Sequence, residues 1–220
     1  MDLNYNTVNL FPSIIHQFDV NGFSEIQDKL IDYAYDLKKR EPEGVSISNH
    51  GGWQSPDFSV NNEDDILHYF IINCLAGFPV IDESFNIKVD AWININKPGD
   101  YNIKHNHPTA DLAGVLWIKC PEDCGVIVFD SPTGFQSHNE INSYNDNFKN
   151  QNNLFHSYQF DPTEGKILIF PAHLNHHVKE NKSNEDRISV SFNIRLSSGR
   201  MKRRGKVSIP RWNFDWSSSK

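Results

Sequence analysis

Apolar and polar positions alternate with two different periods along this chain, and the change of period divides it. Between residues 24 and 40, Ile26, Leu30, Tyr33, Ala34 and Leu37 recur at the spacing of a helix face. Ser24 with Gln27 three residues on reads as a capping box, and Lys38, Lys39 and Arg40 supply the positive charge that favours a helix C-terminus. A second helix is expected to open at Asn62 and Asp65, carry Ile66, Tyr69, Phe70 and Leu75 on its apolar side, and stop at Gly77 and Pro79. From residue 86 onward the period shortens to two. β-branched and aromatic runs at about 86–96, 112–119, 125–130, 154–160, 166–170 and 186–196 are separated by Gly, Pro, Asn and Asp, the mark of an all-β segment. The Asn-rich stretch 139–153 is expected to be an exposed loop or lid near one end of the sheets.

These elements predict a mainly β fold with flanking helices in one domain spanning 1–220. Residues 1–85 would form a largely helical buttress, 86–196 the β core and 197–220 a C-terminal extension. The length of 220 residues, with 38% apolar and 12% aromatic content, suits one substantial core and opposes disorder. A net charge of −7 disfavours general nucleic-acid binding, although every charge from Arg187 to Phe214 is positive, which leaves a basic strip around 200–211. Three cysteines, Cys74, Cys120 and Cys124, without a disulfide-rich spacing, fit a reducing cytoplasm. No stretch reaches the length of a membrane span and no basic-then-apolar leader is visible, so a cytoplasmic protein is expected, with a homo-oligomer compatible.

The candidate chemistry lies in clustered histidines: His105 and His107 in KHNHP, and His173, His176 and His177 in PAHLNHHV. In an extended segment, residues two apart point to one side about 7 Å apart along the chain, so His105 and His107 can converge on a metal ion. A third ligand from a distant strand would complete a facial set with open positions for oxygen chemistry. The segment RISVSFNIR carries Arg187, Ser189, Ser191, Asn193 and Arg195 on one face and Ile188, Val190, Phe192 and Ile194 on the other. That polar face suits either water or a lumen holding an anion. A guanidinium with a hydroxyl two residues along is a carboxylate grip. The segment DAWININKPGD alternates in the same way, which makes Asn94 a candidate substrate or co-substrate contact and Trp92 part of the core or of a pocket wall.

With FPSII at 11–15, GGWQS at 51–55, WININKPGDYNIKHNHP at 92–108, GKILIFPAHLNHHV at 165–178 and RISVSFNI at 187–194, the sequence resembles the 2-oxoglutarate/Fe(II) oxygenases of the cupin superfamily. Within them it is most similar to a prolyl-hydroxylase-like family common in bacteria and marine phages. The resemblance implies a double-stranded β-helix (jelly-roll, cupin-like) barrel. It implies a dioxygenase that hydroxylates a C–H bond with Fe(II), 2-oxoglutarate and dioxygen, acting on a prolyl or other side chain of a protein or peptide. The rival readings are a small-metabolite substrate and a non-catalytic cupin-like binding module. The resemblance further implies that His176 is the distal iron ligand and that Arg187 and Ser189 hold the far carboxylate of 2-oxoglutarate. Most such enzymes carry H-x-D or H-x-E, whereas this chain has His107 at the carboxylate position; the alternatives there are His107, Asp111 or water.

Overall fold

A computed structural model describes residues 4–59, 81–82, 84–133 and 139–198. The expected helix at 62–77 and the basic strip at 200–211 lie outside these residues, as does Cys74. Two antiparallel sheets form a jelly roll. The larger one runs in the order β1 (His16–Asp19), β10 (Lys166–Pro171), β7 (Leu112–Lys119), β12 (Arg187–Ser198), β5 (Phe85–Asn96) and β3 (Trp53–Gln54), with β4 (Phe58–Ser59) also paired to β5. The smaller has the order β2 (Asn49–His50), β6 (Tyr101–His105), β11 (His176–Val178), β8 (Ile127–Asp130) and β9 (Ser157–Phe160). Every strand run expected after residue 86 corresponds to a strand. The described part of 1–85 contributes one long helix and four short strands, so it completes both sheets as well as buttressing one of them.

The two faces of the larger sheet are packed differently. On β5 and β12, Val89, Ala91, Ile93, Ile95, Ile188, Val190, Phe192 and Ile194 join Leu116, Ile118, Ile167 and Ile169 in one buried cluster with Leu30 and Ala34 of α1 (Gln27–Arg40). The helix therefore covers the outer face, burying its apolar stripe while its charged residues stay in water. Between the sheets, Ala113, Val115, Trp117, Ile127, Phe129, Leu168, Phe170 and Leu174 form a second cluster. Since the side-chain period of a strand is two, burying the isoleucines of β5 and β12 under α1 forces Asn94, Asn96, Arg187, Ser189 and Asn193 into the space between the sheets. The polar face of RISVSFNIR is thus an interior face.

Two local expectations are corrected. The capping box does not form: a 3₁₀ turn, Phe23–Glu25, precedes α1, which has no side-chain cap, and Gln27 instead donates through Nε2 to the Ile118 carbonyl at 2.9 Å. Burial of Phe23 pulls the entry inward and spends the polar side chain on the sheet. The 139–153 stretch is not a loop but two short helices, α2 (Glu140–Ser143) and α3 (Asp146–Asn152). The Asn145 side chain caps α3 by accepting from the Phe148 amide at 3.0 Å, which uses the capping preference of asparagine that a composition reading counts only as polarity.

Gly114 of β7 lies beneath the Phe192 ring: a Cβ there would stand 2.3 Å from Phe192 Cζ and 2.8 Å from the Leu168 carbonyl oxygen. Gly114→Ala is expected to destabilise the fold by about 1–3 kcal/mol through overpacking, read as a lower urea midpoint at unchanged slope.

Candidate metal centre

β6 and β11 are paired so that His176 stands opposite His105. β6 ends at His105, so His107 is not part of a regular strand as expected; it lies in the turn that follows, anchored by its amide donating to the Ala172 carbonyl at 2.9 Å. The turn still returns its ring to the other two. Ligand nitrogens of His105, His107 and His176 all lie within 4.8 Å of one another, and Nε2 of His107 is 3.4 Å from Nε2 of His176. The ring centroids are 4.3 Å apart for His105 and His176 and 5.2 Å for each of the other pairs. Nδ1 of His105 bonds to the Ile103 carbonyl at 2.8 Å and Nδ1 of His176 to the Leu174 carbonyl at 2.9 Å, which leaves Nε2 of both rings facing the cluster.

Burial holds all three imidazoles neutral at physiological pH, and for His107 and His176 the neighbouring rings reinforce it. His107 is pushed down to about 4 and His176 to about 3, and His105 is also lowered. Neutral rings are the metal-binding form, so the ion displaces no proton from them near pH 7. The same shifts fix the sign of an acid effect. Below about pH 6.5 the unfolded chain takes up protons that the folded chain refuses, so stability is full above that pH and falls as pH drops toward 4 and then 3. The metal-free protein is therefore expected to lose thermal stability steadily across this window, by on the order of several kcal/mol in all, since each unit of depression is worth about 1.4 kcal/mol. A flat profile between pH 7 and 4 would contradict the buried neutral cluster.

Asp111, the carboxylate alternative, is turned away. Its Oδ2 accepts from the Leu196 amide at 2.6 Å, its own amide donates to the Ile194 carbonyl and its carbonyl accepts from Ala172, so it ties the post-His107 turn to β12. Among the described residues the metal-competent group contains three histidines and no carboxylate. His177 faces Val128 across β11 and β8 and stays outside the group.

The histidines line a pocket between the sheets together with Trp92, Asn94, Asn96, Arg187, Ser189 and Ser191. Arg187 is 2% exposed, and its Nη1 donates to the carbonyls of Cys124, Gly125 and Lys179. A Cβ at Gly125 would stand 2.9 Å from that Nη1 and 2.2 Å from the Lys179 oxygen, and its φ of 92° is in the region glycine favours, so only glycine fits under the guanidinium. Among the described residues no carboxylate pairs with Arg187. Arg195, the other cation on the same face, is neutralised by Asp90 at 2.6 Å. A buried guanidinium with no carboxylate bonded to it is costly unless an anion completes it. Asn94 donates through Nδ2 to Ser191 Oγ at 3.0 Å. The walls also include Ser48, Asn102, Ile127 and Val178, brought in from the smaller sheet and the segment before it. Asn96 shares the parity of Asn94 and was legible in the alternation, whereas nothing in the sequence near Ser48 announces it.

Three neutral imidazoles and a buried unpaired cation in one jelly-roll interior define a metal-dependent enzyme that takes an anionic co-substrate. Residues 90–193, which span all three histidines and Arg187, match the family model described as "Putative 2OG-Fe(II) oxygenase". Residues 90–193 thus carry a 2OG-Fe(II) oxygenase domain, and the protein is an oxidoreductase dependent on Fe(II), 2-oxoglutarate (2OG) and dioxygen. No curated protein matches the sequence. In fold it is similar to a Pseudomonas putida prolyl-4-hydroxylase, at 12% identity and a TM-score of 0.57, over 82% of this chain and 91% of that one. It is also similar to the non-heme α-ketoglutarate-dependent carbocyclase SnoK of nogalamycin biosynthesis, at 10% identity and a TM-score of 0.56, over 87% and 84%. The epimerase SnoN of the same biosynthesis aligns at 12% identity and a TM-score of 0.51, over 81% and 78%. Among the described residues no helix is long and apolar enough to cross a membrane.

Proposed function

We propose that the protein is a hydroxylase in which His105, His107 and His176 hold iron and Arg187 with Ser189 holds the far carboxylate of 2OG, acting on a prolyl or other side chain of a protein or peptide. The observation that carries this reading is the coincidence, in one pocket, of three convergent imidazoles with a buried guanidinium that lacks a carboxylate partner. The donor set fits the ion. Neutral nitrogen ligands leave the metal its full charge, and the 2OG dianion balances it, so the site needs no protein carboxylate. With iron and 2OG bound, dioxygen is reduced, 2OG is split to succinate and carbon dioxide, and one oxygen atom enters a substrate C–H bond.

The chain's own residues bind, orient and exclude. The unused N–H groups of Arg187 offer the planar fork a carboxylate matches, with the Ser189 hydroxyl two residues along the same strand face. Asn94, held by Ser191, lines the pocket beside them. Trp92 and Phe170 flank His107, with ring centroids 5.9 and 6.4 Å away, and keep water from the ligand's sides. The side-chain substrate rests on the sequence's resemblance to prolyl hydroxylases, and the free thiols of Cys120 and Cys124 suit a reducing cytoplasm.

The test is anaerobic addition of Fe(II) and 2OG to the apoprotein. A weak visible metal-to-ligand charge-transfer band is expected only when both are present. Folded protein that gives no band overturns the site assignment. Aerobic succinate release above the uncoupled rate on proline-containing peptides, and not on free amino acids, separates a peptide substrate from a metabolite.

A further inference from the structure

We infer that Asn193 is a positioning residue for the metal centre: its side-chain oxygen accepts the Nδ1–H of His107 and so commits Nε2 of that ring to the ion. The inference rests on the three-histidine reading of the site and adds to it a fourth residue, from the opposite sheet.

A histidine binds a metal through one nitrogen, and the other, then necessarily N–H, needs an acceptor. For His105 and His176 that acceptor is local, the carbonyl two residues before each ring, at 2.8 and 2.9 Å. His107 sits in the turn after β6 and makes no such bond: among the described residues its ring has no backbone partner. Strand parity brings in the substitute. Asn193 follows Arg187, Ser189 and Ser191 on the interior face of β12, paired with Asp90 on one side and Ala113 on the other. Its side chain reaches the His107 ring. Its Oδ1 is fully buried and accepts no well-formed hydrogen bond, one of only two such side-chain atoms among the described residues. A buried acceptor lacking a donor thus meets a ring whose outer nitrogen lacks an acceptor. Metal coordination through Nε2 turns that ring nitrogen into a fixed donor and satisfies both.

The probe is Co(II) in place of Fe(II), bound to the full-length apoprotein. Affinity is titrated by the visible d–d absorption, and the proton NMR spectrum of the Co(II) protein is recorded in H2O and D2O. Wild type is expected to show three exchangeable shifted resonances, one from each Nδ1–H. Asn193→Leu, which keeps size and removes the acceptor, is expected to weaken Co(II) about ten- to hundredfold, the usual cost of losing an outer partner of a ligand, and to lose one exchangeable resonance. Asn193→Asp keeps an acceptor at the same reach and is expected to hold the affinity within a few-fold and keep all three signals. If Asn193→Leu does not fold, Asn193→Ala, which also lacks an acceptor, carries the same measurements. An acceptor-lacking variant that binds Co(II) like wild type with three resonances overturns the inference and leaves the three-histidine site standing. Equal loss in Asn193→Asp and Asn193→Leu also overturns it, because packing would then be the cause. Wild type that binds no Co(II) removes the site itself, and the inference with it.

Discussion

Iron binding collapses in His107→Ala and persists in Asp111→Ala. The expected result for His107→Ala is a fall from one equivalent of iron to a small fraction of that, with affinity down by more than about a hundredfold, since removing even an outer partner of a ligand costs about ten- to hundredfold. His107 is one of three rings whose nitrogens gather within 4.8 Å, and no carboxylate among the described residues can take its place. Asp111→Ala loses a different interaction, the 2.6 Å acceptor of the Leu196 amide, so it is expected to cost roughly 0.5–1.5 kcal/mol of stability and no iron. His177→Ala, outside the group, also keeps iron. Metal content of anaerobically loaded protein, with urea unfolding of the metal-free forms, separates the effects. Iron lost in Asp111→Ala but retained in His107→Ala would restore a two-histidine, one-carboxylate centre.

Arg187→Ala spares the metal and loses the co-substrate. A charge-assisted, two-pronged contact is worth about 1.5–3 kcal/mol, so the dissociation constant for 2OG at the iron-loaded enzyme is expected to rise by about ten- to more than hundredfold. Because Arg187 also donates to the Cys124, Gly125 and Lys179 carbonyls, the alanine variant will lower stability too. Arg187→Lys is the companion measurement. It keeps the charge without the fork and should fall between wild type and alanine for 2OG. Unchanged 2OG affinity in both variants would exclude Arg187 as the anchor, and the Asp90–Arg195 pair would then have to open to supply the cation.

The acid sensitivity of the metal-free fold and the effect of Arg187 report on one physical situation, a polar interior that is incomplete by itself. The larger sheet turns its isoleucines outward beneath α1 and its amides, hydroxyls and arginine inward. The protein thus accepts the cost of burying polar groups where iron and a dicarboxylate can complete them.

Periodicity in the sequence determined the strands after residue 86, the helix at 27–40 and the two opposite faces of RISVSFNIR and DAWININ, because a strand's period of two leaves its register in the order of residues. The spacing of KHNHP and PAHLNHHV likewise set two histidine clusters apart, and the family resemblance picked His176 from the second. Alternation alone could not say which face of β12 met water. That depended on α1 covering the isoleucines, a contact between residues more than 140 positions apart. Nor could spacing decide between His107 and Asp111, since the turn after β6 sets both directions: it returns one ring to the cluster and sends the carboxylate to the backbone of β12. Ser48 and Asn193 enter the site for the same reason. Nothing in sequence near Ser48 speaks of metal or anion, and RISVSFNIR puts Asn193 on the face of an anion grip without any sign of a metal, so only the stacking of two sheets places them beside groups that need a partner.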